Sequence, residues 1–171
     1  MSNEHPDVVH QFSMADVSAK KVTRRRALAH GLIHVGAPAF ELLKDRKLPK
    51  GDALALAEMA GLQGAKLTPA LLPLCHPISL DRVTLHSVLH DQTHAAEVFC
   101  LAEISERTGV EMEALCGVAV ALLTIWDLAK PVNPALRISD VELLFKSGGK
   151  RGEWTHPGGL SAAAKAILKQ G

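Results

Sequence analysis

The sequence contains no tyrosine, and its aromatic side chains are four phenylalanines and two tryptophans in 171 residues. So sparse a set argues against a stacking platform for single-stranded nucleic acid, which needs rings along a basic groove. A large excess of one charge is missing too: 19 Lys and Arg face 18 Asp and Glu, a net charge of +1, too little for a general polyanion binder. Cys75, Cys100 and Cys116 are too few and too widely spaced for a disulfide framework or a zinc motif, and read as reduced thiols. The N-terminal MSNEHPDVVH lacks the apolar centre of a secretory signal, and no apolar run reaches bilayer-spanning length. The expectation is a cytoplasmic protein that binds neither nucleic acid nor a membrane.

What is present fits one domain with a substantial core. A hydrophobic share of 47% with 22% charged residues leaves apolar surface to spare, which points to an oligomer. Residues 1–14 are polar, without periodicity, and read as a mobile arm. Residues 15–152 form the single domain, and residues 153–171 a tail with a short helix.

The longest helical pattern is GVEMEALCGVAVALLTIWDLAK, residues 109–130. Leu115, Val118, Leu122 and Ile125 recur on one face, and the other faces are apolar too, as in a helix inside a domain or between subunits. Glu111, Glu113, Asp127 and Lys130 stand out on it, because buried charges need partners or a ligand. Asp127 and Lys130 project from one turn. Glu113 and Asp127 share an azimuth to within roughly 40° but lie about 21 Å apart along the axis, too far for one acid/base pair.

Alternation places strands near 22–35, 82–90, 95–105 and 136–145, the middle two joined as a hairpin by Asp91-Gln92-Thr93. Pro38 opens a short helix, and Asp52 caps ALALAEMAGLQGAK, which ends at Lys66 and Thr68 before Pro69. Gly61 and Gly64 imply either a close backbone approach or a bend. The cations Lys20, Lys21, Arg24, Arg25 and Arg26 crowd the first strand, whose pleat sends Arg24 and Arg26 to one face and Arg25 to the other. In LLPLCHPISL, Pro73 and Pro77 stiffen a turn around Leu74, Cys75 and His76. His86, His90 and His94, four apart, would make a metal triplet on a helix but not on a hairpin, so no metal is expected. KSGGKRG, residues 146–152, sets two glycines among cations, a weak anion-loop pattern that is not a Walker A motif.

Taken in order, DVSAK, KGDALALAEMAGLQGAK, LLPLCHP, TGVEMEAL, WDLAK and KSGGK resemble the cyclic pyranopterin monophosphate synthase family, the C protein of molybdenum cofactor biosynthesis, over roughly residues 14–152. The resemblance implies an α+β fold: a ferredoxin-like, antiparallel four-stranded sheet backed by helices, assembled as a hexamer, a trimer of dimers with sites at the dimer interface. It implies a lyase without a cofactor, converting the nucleotide-derived 3′,8-cyclo-7,8-dihydro-GTP to cyclic pyranopterin monophosphate and pyrophosphate. Asp127, Lys50 and Lys130 match the family's catalytic positions. Leu74, Cys75, His76, Met112 and Glu113 match its substrate-binding segments, and Lys20, Arg25, Lys66 and Lys146 its basic positions. Leu67, Trp126 and Pro131 depart from the usual Arg, Tyr and Ala. A non-catalytic nucleotide-binding regulatory domain is the alternative.

Overall fold

The apolar alternation becomes a sheet, and the 3.6-residue pattern becomes the layer that covers it. In this computed structural model, which describes residues 12–170, the chain order is β1 (Thr23–His34), α1 (Ala37–Lys44), α2 (Ala53–Lys66), α3 (Thr68–Leu71), β2 (Arg82–His90), β3 (Ala95–Glu106), α4 (Glu111–Ala129), β4 (Arg137–Ser147), β5 (Trp154–Thr155) and α5 (Ala162–Lys169). Most of the expected N-terminal arm, residues 1–11, lies outside the described residues. The strands form one antiparallel sheet in the order β2-β3-β1-β4-β5. The sheet therefore has five strands where four were expected. The fifth is two residues long, pairing Trp154 with Lys146 and Thr155 with Phe145, and so short an edge strand carries no periodicity to read.

The pleat of β1 divides two cores. Ala27, Ala29 and Ile33 face α4, while Leu28 faces the other side with Phe99, Leu101 and Phe145, where Ala164 and Ile167 of α5 cover them. Helix α4 lies hard on β1: a Cβ at Gly31 would stand 2.8 Å from Leu122 Cδ1. Val118, Leu122 and Ile125 are fully buried, each contributing at most about 1.5–3 kcal/mol by area. By length and composition α4 could cross a bilayer, but here it is a core helix.

Helix α2 crosses α4 with almost nothing between them. A Cβ on Gly61 would meet the Gly117 carbonyl at 2.9 Å, and one on Gly64 would meet Val120 Cβ at 2.7 Å. Of the two roles open to these glycines, close approach is the one realised. Asp52 caps α2, its Oδ1 accepting the N–H groups of Leu54 and Ala55 at 3.1 Å each. Helix α2 ends at Lys66, before Pro69 as expected, and Pro69 then lies in the first turn of the separate short helix α3, a place proline tolerates because its missing N–H would be unpaired there anyway.

Candidate active site

The two ends of α4 carry different chemistry. At the C-terminal end Asp127 Oδ2 accepts from Lys50 Nζ at 2.8 Å, and Oδ1 lies 2.7 Å from Lys130 Nζ. Lys130 is one turn on, as its spacing requires. Lys50 arrives from the turn before α2. The hydrogen bonds from Lys130 and then Lys50 hold the Asp127 carboxyl down at about 2. All three side chains are about half exposed, so the triad faces solvent and is open to a ligand.

At the N-terminal end Glu113 is 3% exposed. Burial pushes its carboxyl up, its own backbone N–H opposes that, and the charge of Glu111 adds to the rise. The turn bearing Leu74, Cys75 and His76 packs beside it: burial and then the charge of Glu113 raise the Cys75 thiol, which makes it a poor nucleophile. His76 Nε2–H donates to the Ala15 carbonyl at 2.8 Å. Met112 and Leu74 are exposed, and Lys66 ends α2 with its side chain exposed.

Next to Glu111 opens a cavity of about 670 Å³ whose walls include Lys20, Lys21, Arg25, Arg107, Lys146, Lys150 and Arg151, with Glu111 as the acidic member. Burial alone would raise the Glu111 carboxyl, but its hydrogen bond from Lys146 (2.8 Å) and the charge of Arg25 hold it below the ordinary range. Strand alternation sorts the arginines as expected. Arg24 and Arg26 turn to the buried Glu103, at 3.0 and 2.8 Å. Arg25 turns to the cavity, donating to the Glu106 and Arg107 carbonyls at 3.2 and 3.1 Å. The two glycines of the loop let it lie against β1: a Cβ at Gly148, φ 95°, would run into the Arg24 carbonyl, and one at Gly149, φ 75°, into the Arg25 guanidinium. So many cations around one hollow suit a polyanion the size of a diphosphate or triphosphate.

The MoaC family pattern matches residues 14–149. The chain belongs to this family. Among its relatives are proteins named cyclic pyranopterin monophosphate synthase from Streptomyces coelicolor, 47% identical over 151 residues that cover 88% of each chain, from Rhodospirillum rubrum, 42% identical over 88% of this chain and 91% of the relative, and from Nocardioides sp., 42% identical over 90% and 94%.

For a MoaC member the residues fall into three groups. Lys50, Asp127 and Lys130 form one; the turn of Leu74, Cys75 and His76 beside Glu113 forms a second; Lys20, Arg25 and Lys146 line the cavity and form the third. Glu113 and Asp127 lie fourteen positions apart on one unbroken helix, about 21 Å along the axis, so one chain does not bring its two ends together. Arg107, a cavity wall, is not singled out by the sequence, and Glu111, a charge expected to need a partner, finds it in Lys146. A signal existed for Glu111, an acidic residue in the first turn of a helix where the macrodipole favours it. The three histidines do not converge: His86 and His90 are four strand residues apart, about 13 Å, and His90 pairs with Glu97 at 2.8 Å. Among the described residues no three ligating side chains are placed to hold a metal ion.

Proposed function

We propose that this chain is a cyclic pyranopterin monophosphate synthase, acting on 3′,8-cyclo-7,8-dihydro-GTP and releasing pyrophosphate in molybdenum cofactor biosynthesis. The observation that carries the reading is the carboxylate clamped between two ammonium groups, Lys50–Asp127–Lys130, in a MoaC member whose second feature is a cationic cavity. Making a cyclic monophosphate from a triphosphate exchanges the bond from the α-phosphorus to pyrophosphate for one to a hydroxyl of the same molecule. A proton leaves that hydroxyl, and charge gathers on the departing pyrophosphate. The lysines move protons, Asp127 holds them in register, and the cavity cations stabilise the leaving anion.

The same reading assigns the finer architecture. The four long strands, alternating with α1–α2 and α4, are read as a ferredoxin-like unit spanning the catalytic residues 15–152. Leu56, Met59, Leu71 and Leu123 stand exposed on the helical layer, and a second copy covers them. In that dimer the Glu113 end of one chain meets the Asp127 end of its partner, so each site is composite and the distance along α4 ceases to matter. Three such dimers make the hexamer of a cytoplasmic enzyme. Incubating the purified protein with the cyclised nucleotide tests the activity. Product and pyrophosphate are expected in equal amounts; binding without release of pyrophosphate would identify a regulatory nucleotide-binding domain instead.

A further inference from the structure

Lys50 is carried by a turn between α1 and α2, and a long side chain on a loose turn cannot hold an ammonium in register. Leu48, 4% exposed, sinks into the core on one side of it. Gly51, on the other, takes φ 113° and donates its N–H to the Leu48 carbonyl at 2.9 Å. Asp52 then ties the turn twice. Its Oδ1 accepts from the N–H groups of Leu54 and Ala55, and its Oδ2 stands 3.4 Å from Arg46 Nη1. Arg46 has φ 59°, a backbone state that a non-glycine residue holds only when its surroundings impose it.

We propose that Asp52 is a positioning residue for Lys50. It acts on the turn and not on the ammonium: the cap locks the chain direction two residues after Lys50, so that Nζ arrives at Asp127. The inference rests on the reading of Lys50 as a catalytic lysine. Of its two ties the cap dominates, because two N–H groups at the positive end of a helix meet a full negative charge. Arg46 is 70% exposed, and such a pair is screened by water.

The experiment measures kcat and KM on the cyclised nucleotide, well below melting and with matched circular dichroism, for Lys50→Ala, Asp52→Ala, Asp52→Asn, Arg46→Ala and the Lys50→Ala/Asp52→Ala pair. Asp52→Ala should lower kcat about tenfold or more with KM nearly constant. Asp52→Asn, whose amide oxygen still caps, should regain most of the loss, and Arg46→Ala should stay within about twofold. In the Lys50→Ala background, Asp52→Ala should cost nothing further, because the group it positions is gone. A folded Asp52→Ala with the parent's kcat, beside a slow Lys50→Ala, would overturn the positioning role and leave the catalytic reading standing. Losses that multiply in the double variant, or an Asp52→Asn as slow as Asp52→Ala, would also overturn it. Lys50→Ala with the parent's turnover would remove the catalytic reading and this one with it.

Discussion

Glu113 and Asp127 are carboxylates on one helix, yet their surroundings drive them in opposite directions. Asp127 is half exposed, has an ammonium on each oxygen and stays ionised down to about pH 2. Glu113 is buried, and burial lifts its carboxyl instead. The contrast shows that position on a helix says little about a carboxylate's role, whereas what has been brought up to it says a great deal. Asp127 is built to remain an anion that fixes cations. Glu113 is buried so that its carboxyl holds a proton more readily than an exposed one does.

The sharpest way to break the contrast is Asp127→Asn, which keeps the shape and removes the charge between the lysines. Turnover should fall at least about 10²-fold with the fold intact, as read by pyrophosphate release and circular dichroism. A folded variant with near-normal turnover would take Asp127 out of the mechanism. A second experiment sets one end of the helix against the other. Glu113→Ala and Asp127→Asn should each be nearly inactive, but after subunit exchange about a quarter of wild-type sites should return, because half of randomly paired dimers are mixed and each of those has one intact site. If exchange is verified and nothing returns, the two carboxylates act from the same chain or Glu113 is structural.

The smallest effect is on stability against pH, and its sign differs at the two ends. The folded pKa of Asp127 lies below its unfolded value of about 3.9, so its contribution is present above that pH and is lost as the pH falls toward about 2. The folded pKa of Glu113 lies above its ordinary value, so the folded chain is favoured while the carboxyl is protonated and loses ground as pH rises through the raised pKa. Melting temperatures across pH should therefore show a flatter acid limb for Asp127→Asn, and for Glu113→Gln a smaller loss on going from acid to neutral pH. A Glu113→Gln curve parallel to the parent's would mean that Glu113 is solvated in the folded chain.

Much of this was legible in advance because it is local. Asp127 and Lys130 share a turn by spacing alone, strand alternation separates Arg25 from Arg24 and Arg26, and Asp52 announces the start of α2. What was not legible is distant in sequence. Lys50 meets Asp127 across 77 residues and was placed by resemblance, not by any pattern. Lys146 chooses Glu111 across 35. β5 exists through its pairing with the end of β4, and α3 was hidden by a proline that starts a helix as readily as it ends one.

The glycine crossing of α2 and α4 has a mechanical side. Two backbones already in contact form a stop that can be forced open but not drawn tighter. From that stop α2 runs from Gly64 back to Asp52, a beam of about 18 Å, with Lys50 just past its far end and Asp127 on the other helix. A tilt of one degree at the stop swings the tip by about 0.3 Å, so a methyl group at Gly64, meeting Val120 at 2.7 Å, is magnified into a misaligned ammonium far from the insertion. Gly64→Ala should thus lose turnover through an unseated Lys50 while its cavity still binds pyrophosphate; unchanged kcat would show that the beam bends. The caliper for the Lys50–Asp127 contact is a place where side chains are missing.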